Sequence, residues 1–312
     1  MALLTEYAVT PDVFDVTAYT SDEVCGLHID RLREVLLHEA LVRDLRGGDW
    51  GRLFVGTARS WHLRAKELMK ALKSNKRLVA FPAANATVPA TDADWCNEAL
   101  ATHGNLRLDG IIVTDGVAVP HKTNPLVASI AALPGAPWWT GRSSSVRPER
   151  TLAGFRAALG LVLRHANSMM FIDPHMDFST QRYKSLVSLL QDSGKRTPAP
   201  VIELHRVCYR GSGPGGRQIL TNQQAEDLFR PVLTAPLAAV GISAEVFVWD
   251  DFHDRYVISD LLGISVPHGF DTTSAETVTT WTRMGRTDSD DVQREFDPAS
   301  GRHKIRHRFR VP

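Results

Sequence analysis

The sequence predicts an α/β chain in two lobes, on three observations. Apolar residues at helical spacing alternate with short apolar runs of strand character, a Pro-, Gly- and Ser-rich stretch interrupts the chain between Leu133 and Pro148, and a regular helix-then-strand march follows it. The expected division is a smaller α/β N-terminal lobe over residues 1–140 and a second domain over 148–312.

In the first lobe, Val24, Leu27, Leu32, Val35, Leu36, Ala40 and Leu41 fall at helical spacing after Ser21, a suitable cap. A helix is therefore expected from Ser21 to Leu45, stopped by Gly47-Gly48. A second helix near Trp61 to Lys73 places Leu63, Leu68, Met69 and Leu72 on one face and leads into the strand Leu78 to Phe81. A helix around Ala93 to Thr102 and the strand Leu108 to Thr114 follow. After the Pro/Gly/Ser stretch the prediction is a helix from Pro148 to His165, with Pro148 in its first turn, and a strand Met169 to Ile172. Then come a helix Gln181 to Gln191, a strand Val201 to Val207, a helix Asn222 to Leu237 and a strand Ala244 to Trp249. This order feeds strands into one sheet with helices on its faces. Tyr209 to Arg217, with four glycines and no suitably placed lysine, is expected to be a loop and not a phosphate cradle.

Composition narrows the class. Lys and Arg number 36 against 35 Asp and Glu, a formal charge of +1, so a polyanion partner needs a local surface. The three cysteines, Cys25, Cys96 and Cys208, lie far apart without a C-x-x-C pair, which suits buried thiols in a reducing compartment. No basic-then-apolar leader pattern and no run near 18 apolar residues is present, so a soluble cytoplasmic protein is expected.

The chemistry concentrates in Trp249-Asp250-Asp251-Phe252-His253-Asp254-Arg255-Tyr256-Val257-Ile258-Ser259-Asp260. On an extended segment His253 and Arg255 project to one side, where an imidazole and a guanidinium can meet one phosphate. The alternative is a hairpin whose His and Arg pair with neighbouring carboxylates. His253, Arg255 and Asp260 also stand at the spacing H-x-K-x4-D of the phospholipase D superfamily, with Arg for Lys. Together with Pro267-His268-Gly269-Phe270-Asp271, the segment resembles the phospholipase D-like domain at the C-terminus of MIT-domain proteins and their bacterial relatives, over residues 150 to 312.

The resemblance implies a mixed sheet flanked by helices in the C-terminal half, with His253 as nucleophile, Arg255 as phosphate clamp and Asp260 as the carboxylate supporting the histidine. It implies no cofactor. Arg replaces the family's Lys, the Gly-Ser-x-Asn segment that often follows the motif is absent, and no second motif copy occurs. A homodimer is therefore expected to bring two motifs together. His268 is the candidate second imidazole, to protonate the leaving group.

Asp173-Pro174-His175-Met176-Asp177 follows an expected strand, at the sheet end where α/β proteins place ligand sites. Because Phe171-Ile172-Asp173-Pro174 resembles the first strand of the phospholipase D-like half, Asp173 and His175 are placed behind the reacting groups, as is His205 on the Glu203 face of its strand. Helix capping and sheet-edge roles are the structural alternatives. His62 and His121 superficially suggest motif remnants but lack a following aspartate. Asp173, His175, His205 and His268 could be assembled into a metal site, but no pair among them has H-x-x-x-H or H-x-H spacing, so no metal is expected.

From Arg302 to Val311 the chain alternates: Arg302, Lys304, Arg306, Arg308 and Arg310 on one face, His303, Ile305, His307, Phe309 and Val311 on the other. A strand would raise a ridge of cations about 6.6 Å apart, suited to nucleic acid or an anionic membrane. The alternative is an edge strand protected by charge. The functional expectation is metal-independent phosphodiester cleavage on nucleic acid, in a role such as bacterial defence. The alternative is a catalytically degenerate module that binds nucleic acid, membrane or a protein partner, the last through the N-terminal lobe.

Overall fold

The computed structural model describes residues 3–57, 59–211, 215–273 and 276–312. The fold is mixed α/β, and the chain divides into two compact units, residues 4–142 and residues 143–312 with Leu3.

In the first unit, strands β1 (Thr5–Val9), β2 (Ala40–Asp44), β3 (Leu78–Ala80), β4 (Gly110–Val113) and β5 (Val127–Ser129) form a sheet in the order β3-β2-β1-β4-β5, parallel throughout. The connecting helices are α1 (Asp22–His38), α2 (Leu45–Arg52), α3 (Leu63–Ser74), α4 (Asp92–Asn105), α5 (Asp115–Ala118) and α6 (Pro137–Thr140). Ser21 caps α1 as expected, its hydroxyl accepting from the Val24 amide at 3.4 Å. The expected helix to Leu45 is corrected: α1 ends at His38, and Ala40–Asp44 is a strand with every residue buried. A strand buried on both faces is a continuous apolar run, which periodicity cannot separate from a buried helical turn. The central strand β1 escaped the sequence reading because Glu6 interrupts its apolar run. Buried Glu6 pairs through Oε1 with equally buried Arg43 at 2.8 Å.

The second unit holds an eight-stranded mixed sheet. Its strands are β6 (Ser145–Val146), β7 (Ser168–Ile172), β8 (Val201–Val207), β11 (Ala244–Trp249), β12 (Tyr256–Ser259), β13 (Gly263–Ser265), β14 (Trp281–Arg283) and β15 (Ile305–Val311), and β9 (Tyr209–Arg210) pairs separately with β10 (Gln218–Ile219). The order is β15-β11-β8-β7-β12-β13-β14-β6, with β7, β8 and β11 parallel and the outer pairs antiparallel. Helices α7 (Leu152–His165), α8 (Lys184–Ser193), α9 (Asn222–Asp227), α10 (Arg230–Ala238) and α11 (Arg286–Glu295) accompany it.

Three expectations change here. Helix α7 starts at Leu152 behind a Thr151 cap, so Pro148 lies outside it. The single helix expected from Asn222 to Leu237 is broken between Asp227 and Arg230. The glycine-rich loop is the short β9–β10 hairpin, although residues 212–214 of that segment lie outside the described ones. Among the described residues no helix is long and apolar enough to cross a membrane.

Candidate functional site

The parallel strands β7, β8 and β11 point their carboxyl ends the same way, the usual location of a ligand site in an open α/β sheet. Asp173 to Asp177 leave β7 there, Tyr209 and Arg210 follow β8, and Asp250 to Arg255 leave β11. Side chains distant in sequence are thereby collected by strand direction alone.

Asp173 is the anchor. Its carboxylate is fully buried and accepts from the His175 amide at 3.0 Å, the Tyr183 hydroxyl at 2.9 Å, the Phe270 amide at 3.4 Å and Arg255 Nε at 3.4 Å. A buried carboxylate persists only with such partners. Burial, reinforced by Asp173, pushes the Tyr183 hydroxyl well above the usual tyrosine range, so it remains a proton donor. Arg255 also donates from Nη1 to the Pro267 carbonyl at 3.2 Å, which leaves Nη2 without a hydrogen bond among the described residues.

Two imidazoles stand beside this clamp. His175 is exposed, yet partial desolvation lowers its pKa below the ordinary 6.5; Asp173 opposes that shift, while Arg255, Arg206 and His253 add to it. His253 is exposed, and among the described residues nothing hydrogen-bonds its ring. Behind them lies Arg206, almost wholly buried, donating to the carbonyls of Val207 at 2.8 Å, Met176 at 3.0 Å and Tyr209 at 2.9 Å. Burial lowers its pKa to about 10, so it still carries charge at neutral pH.

Several sequence expectations are relocated. Residues 250–255 are a connection between β11 and β12 and not an extended strand. Asp260 is corrected outright: it sits at the far end of β12, accepting from the Asn167 amide at 2.8 Å and Asn167 Nδ2 at 2.9 Å. Strand β12, about 13 Å long, separates it from Arg255, so it holds the entry to β7 and does not support His253. The β12–β13 hairpin brings the Pro267–Phe270 loop to Arg255, but the His268 ring bonds Thr279 Oγ1 at 3.1 Å.

His205 is a core residue. Its Nδ1 accepts from Trp249 Nε1 at 3.0 Å, its ring lies parallel to Phe247 at 4.8 Å, and Nε2 meets Glu203 at 3.3 Å. Burial lowers its pKa, which fits a neutral ring. His62 is buried too, and caps α3 by accepting from the Arg64 amide at 3.1 Å.

The basic ridge is shorter than expected. Arg302 and Lys304 precede β15, leaving Arg306, Arg308 and Arg310 exposed along it. Arg308 pairs with Glu245 and Arg310 donates to Ser243, while Phe309 on the opposite face packs on Phe229 at 5.8 Å. Tyr183 and Gly269 were missed as site residues. Nothing in sequence separates Tyr183 from an ordinary helix-lead tyrosine, whereas Gly269 stands inside the quoted Pro267-to-Asp271 segment. Among the described residues no group of three His, Cys, Asp or Glu side chains could hold a metal ion.

No protein-family model and no curated protein matches the chain. Among solved structures, TrmBL2, an archaeal chromatin protein whose structure shows a novel mode of DNA binding, aligns at 11% identity over 74% of this chain and 78% of that one. Its TM-score of 0.29 carries no argument about fold or function.

Proposed function

We propose that the second unit is a metal-independent phosphodiesterase of phospholipase D-like type acting on nucleic acid, with His253 as nucleophile, Arg255 as phosphate clamp and His175 as the second imidazole. The observation that supports this reading is the buried Asp173 carboxylate that fixes Arg255 and holds the His175 backbone amide, with exposed His253 two residues before that arginine. In the reaction, a His253 nitrogen bonds to phosphorus as the ester P–O bond breaks, and protonated His175 gives its proton to the leaving oxygen. Neutral His175 then takes a proton from water, whose oxygen attacks phosphorus and releases His253. One chain supplies both imidazoles, so twofold pairing is not required.

The acid has to be protonated, and its pKa is held below 6.5. Activity is therefore expected to fall as pH rises through that low value, giving an optimum on the acid side of neutral. Arg255→Gln removes a cation facing His175 and shifts the alkaline limb upward while weakening substrate binding.

The test is incubation in EDTA with labelled single- and double-stranded DNA and RNA, comparing wild type, His253→Ala and His175→Ala for cleavage, retention and a covalent phosphoprotein after acid-free quenching. Cleavage by wild type, lost about 100-fold or more in each variant, supports the reading. The alternative is a binding module without chemistry, favoured by the displacement of Asp260 from His253. Retention by all three proteins with no cleavage selects it.

A further inference from the structure

A second feature of this unit lies away from the imidazole pair and is not used by that reaction. A cleft of about 450 Å³ lies between the sheet and the α11 side, and its lining includes Ser168 and Val201, the first residues of β7 and β8. It is thus set toward the sheet end opposite His253. Its volume falls in the range of small-molecule sites. The walls are chemically specific: buried Met170, Phe247, Ile258 and Phe296 supply apolar surface, and Glu203 and Arg308 bring opposite charges.

Both charged groups are held from behind. Trp249 Nε1 donates to His205 Nδ1 at 3.0 Å, which leaves the proton of a neutral ring on Nε2, facing Glu203 Oε2 at 3.3 Å. Glu203 is therefore oriented as an acceptor by a buried relay. Arg308 spends Nε on Glu245 and lies over the Phe247 ring at 5.0 Å, which leaves its terminal nitrogens for another partner.

A ligand matching these walls has an apolar body, offers adjacent N–H donors to a carboxylate, and presents acceptors to a guanidinium. Guanine combines the two: its N1–H and N2–H₂ suit a carboxylate, and its O6 and N7 suit arginine. Adenine lacks the O6 acceptor and the N1–H, and cytosine lacks the purine acceptor pair. We infer that this cleft binds a guanine ring, with Glu203 and Arg308 as the residues that select it.

The ring could arrive as a free nucleotide or within a strand, and the experiment separates these sources. Calorimetry on the His253→Ala protein, so that the outcome is independent of the proposed cleavage, compares GMP, AMP and single-stranded oligonucleotides carrying one guanine or adenine. Saturable one-to-one GMP binding is expected, about tenfold or more tighter than AMP, and weakened about tenfold or more by Glu203→Gln and by Arg308→Ala. Binding of the guanine oligonucleotide but not GMP would assign the site to base readout on a strand, and of GMP alone to a free nucleotide. Arg308 is exposed, so Arg308→Ala is informative even if Glu203→Gln fails to fold. Equal binding of GMP and AMP, no binding of either guanine form, or unaltered GMP binding by Arg308→Ala with wild-type melting would overturn the inference.

Discussion

Gly269 controls the clamp from a distance of one atom. It adopts φ +68°, and a methyl group placed on it would lie 2.2 Å from Asp173 Oδ2 and 3.1 Å from Arg255 Cδ. Gly269→Ala therefore meets both backbone strain and a clash with a carboxylate whose other contacts prevent retreat. A loss of about 1–3 kcal/mol is expected in urea unfolding, with phosphate retention reduced because Arg255 shifts with Asp173. Unchanged stability and retention would show that the loop relaxes freely. At this scale the sequence displayed His253, Arg255 and Asp173 as chemically suggestive residues, but their partners depend on contacts across 82 positions of chain, as between Arg255 and Asp173.

Among elements, the β1–β2 pair shows how a polar strand is accommodated in a core. Glu6 and Arg43 are both almost fully buried, and Arg43 also donates to Thr102 Oγ1 at 3.1 Å and the Leu106 carbonyl at 2.9 Å. Removing one partner strands a charge without water. Glu6→Ala is expected to cost about 3–5 kcal/mol, whereas replacing both charges with packed apolar side chains recovers much of the loss. Chemical denaturation of the single and double variants checks this; a small effect of Glu6→Ala alone would refute it. The same pair explains why β1 and β2 were hard to read. A glutamate inside β1 conceals its buried character, and Ala40, Leu41 and Val42 continue the period of α1 across the turn at Glu39.

For the molecule as a whole, a formal charge of +1 confines any polyanion attraction to local surfaces such as the β15 edge. If Arg306, Arg308 and Arg310 contact phosphates, replacing all three with Gln lowers the slope of log affinity against log salt by about 2–3 in DNA and RNA binding. An unchanged slope would make them protection of an edge strand, a role already consistent with the Glu245 pairing of Arg308.

By itself the sequence determined that the chain is α/β, where the helix-and-strand march of the second unit runs, and that His253 and Arg255 stand near one strand end. Those features follow from local periodicity, turn residues and short spacings. Tertiary structure decided that the His175 amide and Arg255 meet on one buried Asp173 carboxylate, that Asp260 belongs to the opposite end of β12, and that His205 is a core residue. Each of these depends on strand direction and register, which place residues dozens of positions apart at one sheet end or at opposite ends, and no local pattern encodes that choice.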